Sequence, residues 1–281
     1  MYLNDGEAGF TDASDRLPLK GRSNGLATLD LNGDGAPDLL IGNYGTEGVM
    51  LNDGRGHFSD ATEAYWPVSG GDTQDIELAD VDGDGDLDVL VANEGQNHLY
   101  INEQGRLVDA TAGRLPERDD ESREYRAFDA DGDGDLDLVL VNIQLLYEWP
   151  RRDFLLFNDG TGTFVEADAD TLPDGSRDHF TVQVADLDTD GDPDILLPGS
   201  TFTGDSGDYR VLLNDGTGRF SDVPAETILP PSVNDNGIGF DIQVADFNLD
   251  GRDDLFMCNR SQPRTDPVVG GRHVLLLQRA R

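Results

Sequence analysis

Apolar residues in this chain fall into two kinds of run, and the two kinds take turns. One alternates with polar residues, as in Asp75-Ile76-Glu77-Leu78-Ala79, the period-two pattern of a strand with one buried face. The other is continuously apolar, at residues 39–41, 89–92, 138–141, 195–197 and 255–258. Short runs of that kind predict strands covered on both faces. A third strand follows, ending in a hairpin signal at Asn52-Asp53-Gly54, Asn102-Glu103-Gln104-Gly105, Asn158-Asp159-Gly160 and Asn214-Asp215-Gly216. Asn and Gly adopt the positive φ that tight hairpins need. A fourth strand starts near Phe58, Leu107, Phe164 and Phe220. No stretch has helical periodicity. Four antiparallel strands per unit, repeated along the chain, predict an all-β fold, a β-propeller of four-stranded blades.

Between the first and second strands of each unit lies an acidic loop. The second copy reads Asp80-Val81-Asp82-Gly83-Asp84-Gly85-Asp86-Leu87-Asp88. Carboxylates about 4 Å apart repel by roughly 1 kcal/mol per pair in water, and by more at lower dielectric. A hard divalent cation reverses that sign, because Ca²⁺ takes about 6–8 oxygen ligands. The predicted ligands are the side chains at loop positions 1, 3, 5 and 9 and the backbone carbonyl at position 7. In the first loop these are Asp30, Asn32, Asp34 and Asp38, with Ala36 at position 7. The second offers Asp80, Asp82, Asp84 and Asp88 with Asp86, and the third Asp129, Asp131, Asp133 and Asp137 with Asp135. The fourth offers Asp186, Asp188, Asp190 and Asp194 with Asp192, and the fifth Asp246, Asn248, Asp250 and Asp254 with Arg252. Position 6 is always Gly, which permits the turn around an ion.

Two other calcium architectures are excluded. An EF-hand needs a bidentate Glu at position 12, where this chain has Ile41, Val91, Leu140, Leu197 and Met257. A calcium β-helix repeats every nine residues or so. Here the loops start at 30, 80, 129, 186 and 246, in steps of 50, 49, 57 and 60, the length of a four-stranded unit.

The acidic loop, the apolar strand after it and the Asn-Asp-Gly hairpin with Gly-x-Phe together resemble the FG-GAP and VCBS-type repeats. Those repeats build the calcium-binding propellers of integrin α subunits and of many bacterial surface proteins. The resemblance spans residues 24–278 in five copies, at about 24–62, 74–111, 123–167, 178–223 and 237–278. It implies Ca²⁺ in the loop between strands 1 and 2, hence about five ions, one per copy. The last copy stops after its third strand, whereas the chain opens with a third-strand end and a fourth strand. Residues 1–13 are therefore expected to complete the last blade, closing a five-bladed ring as one domain over residues 1–281. The alternative is part of a seven-bladed propeller.

Composition narrows the partners. The formal net charge is −37, and five divalent ions leave the chain strongly acidic, which disfavours nucleic acid and anionic membranes. The single cysteine, Cys258, sits in an apolar run and reads as a buried small hydrophobe. No transmembrane run is present, and residues 1–10 are not a signal peptide. Calcium sites of ordinary extracellular affinity need a millimolar-calcium compartment. The expected location is therefore extracellular, cell-surface or periplasmic, with this chain an excised or processed portion.

Catalysis has little support in the letters. His57, His98, His179 and His273 share no repeat position and read as surface or strand residues, and no serine has a nucleophile-elbow context. The leading expectation is a non-enzymatic binding or adhesion module for a glycan or protein. The alternatives are a carbohydrate-active enzyme, polysaccharide lyase-like, or its accessory domain, and a structural spacer in a larger surface protein. Strand parity puts the 2–3 and 4–1 loops on the face opposite the calcium loops. Both tryptophans fall there, and so do several basic residues, among them Lys20, Arg22, Arg114 and Arg118. The expected ligand face therefore includes Tyr65, Trp66, Tyr147, Trp149, Arg151 and Arg152.

Overall fold

The computed structural model describes residues 1–18, 21–67, 70–146, 149, 152–173, 175, 178–199, 209–230, 238–260 and 273–278. The chain divides into two compact units, Met1–Asp119 and Asp120–Arg281. The fold is all-β, built from antiparallel sheets in which consecutive strands are neighbours.

The first unit opens with a hairpin, Tyr2–Asn4 against Phe10–Asp12. Two complete repeats follow. The first has strands Ser23–Leu29, Asp38–Gly45, Gly48–Asn52 and Phe58–Asp60. The second has Gly71–Ala79, Asp88–Gly95, His98–Glu103 and Arg106–Asp109. Short pairing of Tyr44 with Asp72 and of Gly45 with Gly71 links them. A single helical turn, Thr62–Tyr65, follows the fourth strand of the first repeat, and a tight turn at Thr111–Arg114, with Gly113 at φ 91°, follows that of the second. These turns carry no helical periodicity, being too short to show one.

In the second unit, one four-stranded repeat comprises Asp120–Phe128, Asp137–Asn142, Phe154–Asn158 and Phe164–Glu166. The next comprises Gln183–Ala185, Asp194–Leu197, Arg210–Asn214 and Phe220–Val223. The last sheet has three strands, Ile238–Ala245, Asp254–Arg260 and Val274–Leu276.

The second strands behave as their continuous apolar runs predict. Ile195 and Leu197 join one core cluster with Val139, Val141 and Leu155 of the preceding repeat. Leu196, between them, joins another with Ile242, Leu255 and Met257 of the following repeat. Alternate side chains leave opposite faces of a strand, so a strand sandwiched between two sheets must be apolar at every position. Burying each such leucine contributes about 1.5–3 kcal/mol.

First strands carry a feature absent from the expectation. Their register slips between Ser23 and Gly25, Thr73 and Asp75, Ser122 and Glu124, and Gly239 and Asp241. These are β-bulges, recurring within the first four residues of the strand, where it pairs with the end of the second strand, and they add local twist.

Candidate metal centres

Loop position 9 is the most deeply buried part of each acidic loop. Asp38, Asp88, Asp137, Asp194 and Asp254 are at most 1% exposed. Each uses its two carboxylate oxygens in the same way. One accepts the N–H of loop position 2, from Leu31 (3.1 Å), Val81 (3.0 Å), Ala130 (3.0 Å), Leu187 (2.9 Å) or Phe247 (3.0 Å). The other accepts an N–H at the end of the third strand, from Asn52 (2.7 Å), Asn102, Asn158, Asn214 or Gln278 (2.8 Å each). A single carboxylate thus joins the loop entry, the second strand and the 3–4 hairpin.

Inside the loop, each position-1 carboxylate accepts the N–H of the position-6 glycine at 2.7–3.1 Å. Each position-5 carboxylate accepts the N–H of position 7 at 2.8–3.1 Å. These bonds wind the backbone so that positions 4 and 6 both take positive φ. Gly33, Gly83 and Gly132 occupy position 4 in three loops, but Thr189 (φ 67°) and Leu249 (φ 61°) occupy it in the others. A β-branched or bulky residue there is strained.

In three loops the carboxylates converge: Asp80, Asp82 and Asp88; Asp129, Asp131 and Asp137; Asp186, Asp188 and Asp194. One oxygen from each residue of a group lies within 4.8 Å of the others. Burial pushes Asp88, Asp137 and Asp194 up from 3.8 to about 6, and the carboxylates at positions 3 and 5 push the same way. Burial, then repulsion by Asp133 and Asp190, raises Asp131 and Asp188 as well. Oδ1 of Asp82 is buried and has no hydrogen-bond partner. An all-oxygen set with an orphaned buried carboxylate oxygen and mutually destabilised charges fits a hard divalent cation.

The first and fifth loops differ. Their position-3 residues are amides, and each amide donates to a neighbouring carboxylate. Asn32 Nδ2 reaches Asp34 Oδ2 (3.0 Å) and Asn248 Nδ2 reaches Asp254 Oδ2 (3.2 Å). In the fifth loop Arg252 Nη1 also lies 3.1 Å from Asp250 Oδ2. The position-7 side chains of Asp135 and Asp192 turn toward the hairpins, where a Cβ on Gly160 or Gly216 would meet them at 2.5 Å and 2.6 Å.

The expected ligand face changes on inspection. Trp66 is 3% exposed and belongs to the core, edge-on to Tyr100 at 5.4 Å, with Tyr65 packed against the same cluster. The indole is packed within that core and offers no platform. Trp149 is half-buried, and its carbonyl accepts from Gln144 Nε2 (2.9 Å). Arg152 is ion-paired with Glu166 and lies over the Phe154 ring at 4.5 Å. Arg114 Nη1 lies 3.8 Å from Asp82 of the second acidic loop. Tyr147 and Arg151 lie outside the described residues, as do Lys20, Arg177, Arg264 and Arg272.

His179 is neither a surface nor a strand residue. It is fully buried in a loop, with Nδ1 2.6 Å from Asp153 Oδ2. Asp153, Asp178 and Glu121 accept backbone N–H groups of Asn142, Gln144, Leu145 and Leu146 at 2.8–3.2 Å. This cluster satisfies the backbone of an unusually long 2–3 loop. Its only sequence signals are the acidic dipeptide Asp120-Glu121 at the start of a first strand and Asp178 beside His179 in the loop before the next one.

A family profile described as the FG-GAP-like repeat matches residues 30–91, 80–140, 145–197 and 201–257. No curated protein matches the chain. Among solved structures, a lectin of Agrocybe aegerita, described as recognising non-reducing terminal N-acetylglucosamine, is similar with a TM-score of 0.52 at 19% identity. That alignment covers 91% of this chain and 67% of the lectin. The V. cholerae biofilm matrix protein Bap1 aligns at 14% identity with a TM-score of 0.47, over 88% of this chain and 36% of its own. The Photorhabdus luminescens Tc holotoxin pore aligns at 21% identity with a TM-score of 0.45. This chain covers 88% of itself but only 11% of the toxin chain in that alignment.

Proposed function

The chain belongs to the FG-GAP-like repeat family, and on that premise we propose that it is a calcium-stabilised, non-enzymatic binding module acting outside the cytoplasm on a glycan or protein. The observation that carries the calcium reading is the convergence of three buried-to-surface carboxylate triads at the same loop positions of successive repeats. Side chains at positions 1, 3, 5 and 9, with the position-7 carbonyl, would hold the ion in each loop. Bound there, the ion supplies charge neutralisation. The position-9 carboxylate then transmits that neutralisation to the loop entry and the hairpin through its two backbone hydrogen bonds.

The binding reading is supported by the repeat architecture and by a lectin of similar fold. The ligand face is proposed to be the one opposite the calcium loops. The blades are proposed to number five, with residues 1–13 completing the last. No helix among the described residues is long and apolar enough to cross a membrane. The test is twofold: calorimetric titration of metal-free protein with Ca²⁺, and a glycan array and cell-surface extract probed with the loaded protein. Calcium sites that do not saturate at millimolar concentration would end the calcium reading. Absence of any partner in both screens would end the binding reading.

A further inference from the structure

The fourth strands carry an acidic residue at one fixed register. Asp60, Asp109, Glu166 and Asp222 each lie opposite the third-strand residue, Met50, Tyr100, Leu156 or Leu212, that pairs with loop position 10. In the third and fourth repeats of the chain this carboxylate is matched by an arginine from the start of the third strand. Arg152 pairs with Glu166 and stacks over Phe154. Arg210, only 5% exposed, donates from Nε to Asp222 Oδ2 (2.9 Å), and its Nη2 lies 2.8 Å from the same oxygen.

The first two repeats lack that arginine. Thr46 and Gly48, and Gln96 and His98, stand where Arg152 and Phe154 stand in the third. Thr46 is too short to reach across. Gln96 is turned away, accepting the Arg118 N–H (2.9 Å) and donating to the Asn97 carbonyl (2.8 Å). Asp60 and Asp109 accept hydrogen bonds only from Thr62 and Thr111, and among the described residues they meet no basic side chain.

Beside each of these two carboxylates the surface opens. The first groove, about 680 Å³, is walled by Thr46, Glu47, Asp60, Glu63 and Trp66. The second, about 900 Å³, is walled by His98, Asp109, Thr111, Glu117 and Arg118. In the third repeat, where Arg152 lies in it, the same place holds only about 30 Å³. The first groove has acids and no base in its wall, and the second has more acids than bases. Both volumes suit a side chain or a small ligand.

We propose that the grooves of the first two repeats are docking sites for arginine side chains of a basic protein segment, which supply in trans the guanidinium that Arg152 and Arg210 supply in cis. This deepens the binding-module reading and rests on it. A guanidinium matches a carboxylate in a fixed fork and stacks on flat side chains, which an ammonium does not. Anionic ligands are repelled by both walls, and the protein's overall charge attracts a basic partner at a distance. Asp60 and Glu63 are both exposed and both line the first groove, so a cation entering it meets negative charge.

The probe is a fluorescent peptide of alternating arginine and glycine, with its citrulline counterpart as the neutral isostere. Binding is followed by anisotropy to the calcium-loaded protein at physiological ionic strength. The arginine peptide should bind, and citrulline should weaken binding at least about tenfold, as expected for losing a charge-assisted hydrogen bond. Asp60→Asn and Asp109→Asn, which keep the oxygen that accepts from the threonine, should each weaken it by roughly tenfold. Thr46→Arg, restoring the internal partner, should block the first groove while leaving the melting temperature unchanged or higher. Equal binding of the two peptides, or binding unaffected by these variants, would mean attraction to the general acidic surface and would overturn the proposal. If the arginine peptide fails but a saccharide on a neutral glycan array binds, the binding-module reading stands and this one falls. If neither binds, both fall.

Discussion

On the calcium reading proposed above, the metal-free protein should be unusually sensitive to pH, in a direction opposite to ordinary acid denaturation. Asp88, Asp137 and Asp194 are buried carboxyls raised from 3.8 to about 6 in the metal-free fold. Below pH 3.8 each is protonated whether the chain is folded or not, so it contributes no pH dependence there. Between there and about pH 6 the unfolded carboxyl ionises while the folded one keeps its proton, and stability falls as pH rises. Above 6 the loss is complete, at about 3 kcal/mol per group. The three groups together cost up to roughly 9 kcal/mol, as much as many domains have in total. A bound cation holds these carboxylates ionised and removes the loss. Thermal melts by circular dichroism, on metal-free and calcium-loaded protein from pH 3.5 to 8, should therefore converge only below about pH 4 and diverge as pH rises to about 6. High salt screens repulsion among exposed acids but not among these buried groups, so the divergence should survive about 0.5 M NaCl. A metal-free melting temperature that is flat, or that climbs from pH 5 to 7.5 in high salt, would refute the reasoning.

Other outcomes follow from single contacts. Asp88→Ala should lower the calcium stoichiometry by one in calorimetry. It should also cost about 2–5 kcal/mol, because the N–H groups of Val81 and Asn102 lose their acceptors. Leu249→Gly should raise the melting temperature slightly, by up to about 1 kcal/mol in stability, since Leu249 is 88% exposed and held at φ 61°; a fall would show that its side chain matters elsewhere. Gly105→Ala should destabilise by roughly 2 kcal/mol or more in denaturant titration. Its new Cβ would sit 2.4 Å from the Leu31 carbonyl oxygen at a φ of 90°.

The acidic loops and the strand order were legible because each is written in residues with few substitutes. Oxygen donors at alternate positions, a glycine at position 6 and an unbroken apolar run each have one economical structural meaning. The clasp made by position 9 was not legible, since an aspartate placed to bind an ion and one that holds two backbone N–H groups are the same letter. Trp66 misled because loop composition does not say which way an aromatic turns, and here the chain after Thr62–Tyr65 carries it into the core. The bulges near Asn24, Gln74 and Arg123 leave no mark because any residue can occupy an extended bulge. The cation partners of Glu166 and Asp222 became visible only when strand register aligned the repeats residue by residue.

The alternation of Ile195, Leu196 and Leu197 between two cores means that no repeat there owns its interior. Its middle strand is half of each neighbour's hydrophobic lining, so ownership of the core is staggered by half a repeat relative to the gene-encoded unit. A damaged repeat cannot melt quietly by itself, because its withdrawal strips one face from the sheet before it and one from the sheet after. Conversely, a whole repeat inserted or removed in register presents the same two faces to the same two kinds of neighbour. Lengthening or shortening such an array by duplication therefore leaves every internal contact of familiar type, while a point change in one middle strand is felt by three repeats at once.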